Sequence, residues 1–197
     1  YYSDRTTLGN ENLNPESAIS SEFGIKYINS NLKFSASLFN RDAKNIIDYA
    51  KENENDLWKA VNIGSLKTKG IEFDFLYNFM SKHTLSNTNS FTIGYTNIKD
   101  DNYVSNINFS RYSLNSLKHH LTTSVNLNYS KNINHSVLYK YAQRTDKSNY
   151  SVLDSKIMFK KKIFIYVNNI LDEQYSETNL VPMPGRTFLI GFSIGID

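Results

Sequence analysis

Four histidines and no cysteine bound the metal chemistry open to this chain of 197 residues. Without cysteine there is no disulfide framework and no thiolate site. His119 and His120 are neighbours, so on a strand they point to opposite faces and do not share a ligand from one side. They read as residues near one rim of a sheet, with His83 and His135 near the other. His120 with a serine or an acid has no spacing that supports a nucleophile and base. No catalytic residue, metal ligand or cofactor is therefore assigned. Glu72 and Asp74 are two apart, which puts both on one strand face. They read as wall residues paired with Lys or Arg, because two acids are costly in a dry core. Lys160-Lys161-Lys162 reads as a solvated turn touching lipid head groups. Tyr49, Trp58, Tyr103 and Tyr112 lie in polar surroundings, and rigid aromatics in polar loops suit capture of a bulky ligand. With Arg186 they are the candidate ligand-binding residues; the bland readings are loop packing for the aromatics and a loop-base anchor for Arg186.

The elements that must position these residues are strands. From Thr187 to Ile196, Phe188, Ile190, Phe192, Ile194 and Ile196 alternate with Thr187, Leu189, Gly191, Ser193 and Gly195. About ten such residues cross a bilayer when tilted. Pro182, Pro184 and Gly185 break the chain just before. The same alternation recurs at Ile19–Tyr27, Leu32 to about Ile46, Lys67–Phe79, Thr84–Thr96, Leu121–Tyr129, Ile133–Gln143, Leu153–Phe159 and Ile163–Ile170. That gives about nine strands and essentially no helix. Short turns at Asn29–Asn31, Ser81–His83, Lys131–Asn132 and Lys160–Lys162 alternate with long polar segments at Tyr1–Asn14, Ile47–Leu66, Asn97–Ser116, Arg144–Asn149 and Leu171–Arg186. Outer-membrane barrels have short periplasmic turns and longer extracellular loops, and this order fits with every long loop outside.

The net charge of +3, with acids and bases intermixed, carries no nucleic-acid pattern. No apolar run reaches the roughly 20 residues of a membrane helix. A negative mean hydropathy is compatible with a barrel, which is apolar only at every second residue. Three architectures fit alternation of this kind: a membrane barrel, a soluble β-sandwich binding module, and a passive pore or structural barrel. Long strands, aromatics at strand ends and polar but weakly charged second faces favour the membrane. The chain does not begin with Met, and its first residues read like a loop, so a piece of a longer protein is expected.

Several segments together resemble the TonB-dependent outer-membrane receptors. Asn12-Leu13-Asn14-Pro15-Glu16 followed by Glu22-Phe23-Gly24-Ile25-Lys26-Tyr27 is similar to that family's N-L-x-P-E and E-x-G-x-x-Y. Asn62-Ile63-Gly64 and Lys69-Gly70-Ile71-Glu72 resemble N-x-G ahead of K-G-[IV]-E. Val167-Asn168-Asn169-Ile170-Leu171-Asp172-Glu173-Gln174-Tyr175 resembles the family's penultimate-strand N-[LI]-[FL]-D-x-x-Y, and Pro184-Gly185-Arg186-Thr187-Phe188 its P-G-R-x-[FY]. The resemblance implies that residues 1–197 form the C-terminal part of a 22-stranded barrel of the Gram-negative outer membrane, without the plug domain. It implies uptake of a scarce nutrient such as siderophore-iron, haem or cobalamin. The implied partners are the TonB complex through an N-terminal plug, outer-membrane lipid, and the barrel assembly machinery. That machinery would read the last strand, here Phe188, Phe192 and Ile196, although Ile196-Asp197 departs from the family's aromatic ending.

Overall fold

The computed structural model describes residues 3–80, 88–104, 108–110, 117–178 and 181–192. In chain order the strands are β1 (Thr7–Leu8), β2 (Ser17–Ile28), β3 (Leu32–Lys44), β4 (Ile47–Lys51), β5 (Trp58–Asn62), β6 (Gly64–Met80), β7 (Thr88–Val104) and β8 (Phe109–Ser110). They continue as β9 (Leu117–Ser130), β10 (Ile133–Arg144), β11 (Asn149–Phe159), β12 (Ile163–Asn168), β13 (Ser176–Thr178), β14 (Val181–Pro182) and β15 (Thr187–Phe192). Nine of them form one sheet in the order β15-β12-β11-β10-β9-β7-β6-β3-β2. The all-β reading therefore holds, with nine strands in the main sheet and six shorter ones outside it among the described residues, and the pairs β7–β9, β9–β10, β10–β11, β11–β12 and β12–β15 are antiparallel.

Three expectations need correction. The polar stretch Ile47–Leu66 is not a plain loop: it contains β4, β5 and the start of β6. The second polar stretch also carries structure, since β7 continues to Val104 and β8 follows at Phe109. With β1, strands β4, β5 and β8 make a four-stranded sheet in which β1 pairs parallel to β5. Backbone pairing needs no alternating side-chain pattern, since every main-chain donor and acceptor can join a ladder whatever side chain it carries. Thirdly, the segment before the last strand holds the small β13–β14 ladder. The Ser81–His83 turn, Tyr112 and Ile196 lie outside the described residues, as does the side chain of Tyr103 in β7.

The chain divides into two compact units. One comprises Tyr1–Phe23, Ser37–Ile71 and Ile98–Ser116. Its core is Ala43, Ile46, Ile63 and Leu66, with Val61 packed against them. The other comprises Gly24–Ala36, Glu72–Asn97 and Leu117–Asp197. Its buried cluster is Ala142, Tyr150 and Val152, with Leu117 and Tyr175 against it.

Register in the second unit sorts the side chains onto two chemically different faces. Across the sheet, Phe192, Ile163, Phe159 and Ile133 form one row, and Ile190, Ile165, Ile157, His135 and Leu127 form the next. Val137, Val125 and Phe91 continue the same face. Much of this face is uncovered: Phe192 is 74% exposed and Ile190 78%. So large and continuous an apolar surface marks contact with a partner or a bilayer.

The opposite face is polar and pairs with itself. Asn126 Nδ2 donates to Ser90 Oγ at 3.2 Å, Ser136 Oγ donates to Asn126 Oδ1 at 2.6 Å, and Asn134 Nδ2 donates to Asn128 Oδ1 at 3.0 Å. Gly191 lies directly opposite Phe164 on this face, where a Cβ would stand 2.4 Å from the ring. The Lys156 ammonium lies 4.9 Å from the centre of the same ring.

Candidate functional site

The segments that carry the family resemblance meet one another as clasps. In the first unit, Asn14 N donates to Asn62 Oδ1 at 2.9 Å, and Asn62 Nδ2 donates to the carbonyls of Asn14 and Asn45. Glu16 Oε1 accepts from Ile47 N at 2.6 Å, and Asn45 Nδ2 donates to Pro15 O at 3.4 Å. Asn45 itself sits at φ 54°, a left-handed angle that asparagine tolerates better than most residues. The lead-in to β2 is thereby tied to the start of β4 and the end of β5.

The second clasp organises the approach to the last strand. Asn169 is 2% exposed. Its Nδ2 donates to Glu173 O at 2.9 Å and Pro184 O at 3.3 Å, while its Oδ1 accepts from Glu173 N at 2.9 Å. Asp172 Oδ1 accepts from Arg186 N at 2.8 Å. Arg186 Nε donates to Ile170 O at 2.9 Å, so its exposed side chain folds back on the loop base. Asn168 Nδ2 reaches Thr187 Oγ1 at 3.2 Å.

This loop then crosses the polar face of β10 and β11. Lys140 Nζ lies 2.6 Å from Glu177 Oε1, and Arg144 donates to the Glu177 carbonyl. The Tyr150 and Tyr175 rings pack with centroids 4.5 Å apart. Burial pushes the Tyr175 phenol above its ordinary pKa, and the Glu177 charge pushes the same way. The sequence reading did not find Lys140, Arg144, Glu177 or Tyr150, because their meeting depends on where a distant loop lands. The resemblance at Asn169 and Asp172 was the available signal that this loop is built.

The predicted ligand residues fall into different places. Tyr49 pairs with Ala60 across β4 and β5. Trp58 begins β5, and the Lys51 ammonium lies 4.9 Å from its ring centre and 5.5 Å from that of Phe109. Tyr49 and Trp58 thus share one small sheet, where the Lys51 ammonium lies near two aromatic rings and donates to the Glu54 carbonyl. Arg186 belongs to the other unit.

His119 and His120 do point to opposite faces. His119 stands opposite Asn97 and Gln143 in register, with its Nδ1 2.8 Å from Tyr95 Oη. His120 stands opposite Thr96 and Ala142. At the other end of the apolar face, His135 Nε2 lies 2.9 Å from Ser155 Oγ. Tyr and His at both ends of an apolar face match the girdles of a membrane barrel. For Glu72 and Asp74, no ion pair is present among the described residues. Asp74 Oδ1 instead lies beside Gly94 on the polar face, where hydration can satisfy it.

The two-faced antiparallel sheet is the geometry against which comparison with known proteins is decisive. A family model described as "TonB dependent receptor-like, beta-barrel" matches residues 1–170. The chain belongs to the TonB-dependent receptor β-barrel family. This is a family of Gram-negative outer-membrane barrels, which agrees with the apolar and polar faces. Among curated relatives, the vitamin B12 transporter BtuB of Vibrio vulnificus (strain YJ016) is 33% identical over 69 residues, 35% of this chain and 11% of that protein. Among solved structures, the F5-1 variant of the FrpB iron transporter from Neisseria meningitidis superposes with a TM-score of 0.71 at 18% identity, covering 94% of this chain and 32% of that one. The siderophore receptor PirA from Pseudomonas aeruginosa gives a TM-score of 0.64 at 16% identity, with coverage of 93% and 30%. The chain thus spans about a third of the TonB-dependent receptors it superposes on, and a smaller share of the curated relative. The fold it shares with them is that of transporters and receptors.

Proposed function

We propose that this chain supplies barrel wall and external loops to an outer-membrane receptor that takes up a scarce nutrient under TonB coupling. The observation that carries the reading is the division of one sheet into an exposed apolar face and a self-paired polar face, in a chain of the receptor family. The wall proposed is part of a 22-stranded barrel, with a plug supplied by the rest of the receptor. The ligand class is a bulky small molecule: a ferric siderophore, haem, cobalamin or a relative of these. Names of the matched proteins, which include an iron transporter, a siderophore receptor and a vitamin B12 transporter, support that range.

In this reading the long-loop side faces outward, and Tyr49, Trp58, Tyr103, Tyr112 and Arg186 contribute to ligand capture. The Lys51 ammonium beside Trp58 and Phe109 supplies a positive charge to which an anionic ligand group is attracted. The test is binding of ferric siderophores, haem and cobalamin by the full-length receptor in detergent. Trp58→Ala is expected to weaken the bound ligand about tenfold. Unchanged affinity would remove the small sheet from the binding surface while leaving the receptor reading intact.

A further inference from the structure

Two hairpin turns at the end opposite the long loops carry four lysines that the proposed uptake does not use: Lys131, Lys160, Lys161 and Lys162. The turns are joined, since Lys160 N donates to Asn132 O at 2.6 Å. Lys160 and Lys161 sit at φ 49° and 54°, and Lys162 N donates to Phe159 O at 3.0 Å. Two successive left-handed residues make the type of turn that favours asparagine and glycine. Asn45, Lys147, Asn169 and Asp172 take single left-handed positions elsewhere in this chain. Backbone preference does not select lysine at two successive positions of this kind, so the charge of the run has to be explained by its surroundings.

The surroundings state which charge would be met. Residues 128–134 and 157–165 contain no acid, and among the described residues no carboxylate pairs with any of the four lysines. Immediately inside the turns, Ile133, Phe159, Ile163 and Phe192 form one row across four strands. All four are exposed on the apolar face. The Lys160 ammonium lies 5.3 Å from the Phe159 ring centre, at the junction of the basic and apolar zones.

We infer that the paired turns seat the phosphate of an anionic glycerophospholipid, with its acyl chains along the row Ile133–Phe159–Ile163–Phe192. Ammonium groups attract the phosphate, and a net anionic lipid is preferred because a zwitterionic head group brings a cation of its own. The inference rests on the outer-membrane reading above.

The experiment is native mass spectrometry of the full-length protein released from phosphatidylcholine nanodiscs doped with phosphatidylglycerol. Wild type is expected to retain phosphatidylglycerol in preference, and the quadruple variant K131Q/K160Q/K161Q/K162Q to lose that preference by about tenfold or more. A second variant, K160N/K161G, suits the turn better than the native residues, so it keeps the fold while losing preference severalfold. Equal retention by wild type and both variants would overturn the inference. So would displacement of the lipid by inorganic phosphate alone, which would make the seat a site for the free anion. Failure of wild type to enter nanodiscs at all would instead strike at the membrane reading.

Discussion

Asn169 is 2% exposed at φ 50°, and its carboxamide ties the start of the last loop to both Glu173 and Pro184. Alanine there would remove three hydrogen bonds, to Glu173 N, Glu173 O and Pro184 O, and keep an unfavourable backbone angle. We expect Asn169→Ala to destabilise the clasp by about 2–3 kcal/mol. Faster hydrogen exchange at Glu173 and Arg186 is the readout, and Asn169→Gly, which relieves only the backbone, should fall between. Asp146 is a contrasting case at the surface. The Ser148 hydroxyl and amide donate to its Oδ1 at 2.6 and 2.8 Å and hold its carboxyl below the ordinary range. A lowered folded pKa means that the contribution is present above the unfolded value near pH 4 and is lost as pH falls through the folded value. Ser148→Ala should move the Asp146 titration up toward the ordinary value, read by carboxyl NMR shifts. An unmoved titration would assign the shift to another group.

At the scale of the strands, adjacent residues meet opposite environments. Val125 lies between Val137 and Phe91 on the apolar face, whereas Ser124 lies between Leu138 and Thr92 on the other. Val125→Arg should cost about 2–4 kcal/mol in a bilayer, while Ser124→Arg should be nearly neutral. Folding yields into lipid vesicles, scored by heat-modifiable mobility, compare them directly, and equal penalties would mean that both faces are dry. Period-two alternation made these faces legible in the sequence for β9, β10, β12 and β15, because one-face burial imposes that period. It failed at β4, β5 and β8, which are too short to show a period and are held by backbone ladders; β4 also carries charges on both of its sides, Asp48 and Lys51. Ligand candidates were legible only as residue types. Tyr49 and Trp58 share a sheet, but the Lys140–Glu177 tie depends on a loop path that no local pattern encodes.

For the whole molecule, the sheet order ends on β2 and β15, each paired on one side only among the described residues. Unpaired edges are not tolerated in hydrocarbon, so in a barrel both must find neighbours. If the receptor reading is right, the intact protein extracted from outer membranes should weigh roughly two to three times this chain, as a 22-stranded barrel requires. Accumulation of its ligand should stop in cells lacking TonB or treated with a protonophore. Uptake that continues at the same rate under both treatments would identify a passive pore.

The lateral pairing of Ser90, Asn126, Ser136, Asn134 and Asn128 has a mechanical consequence. A wall whose polar groups have partners within the wall owes none to whatever lies beside it. Each orphaned buried amide or hydroxyl would otherwise cost about 1–3 kcal/mol when a neighbour left. A domain or solute sliding past this surface breaks few bonds at each step and needs few re-formed behind it. On the proposed receptor reading, this face would serve as a low-friction bearing for whatever moves past it.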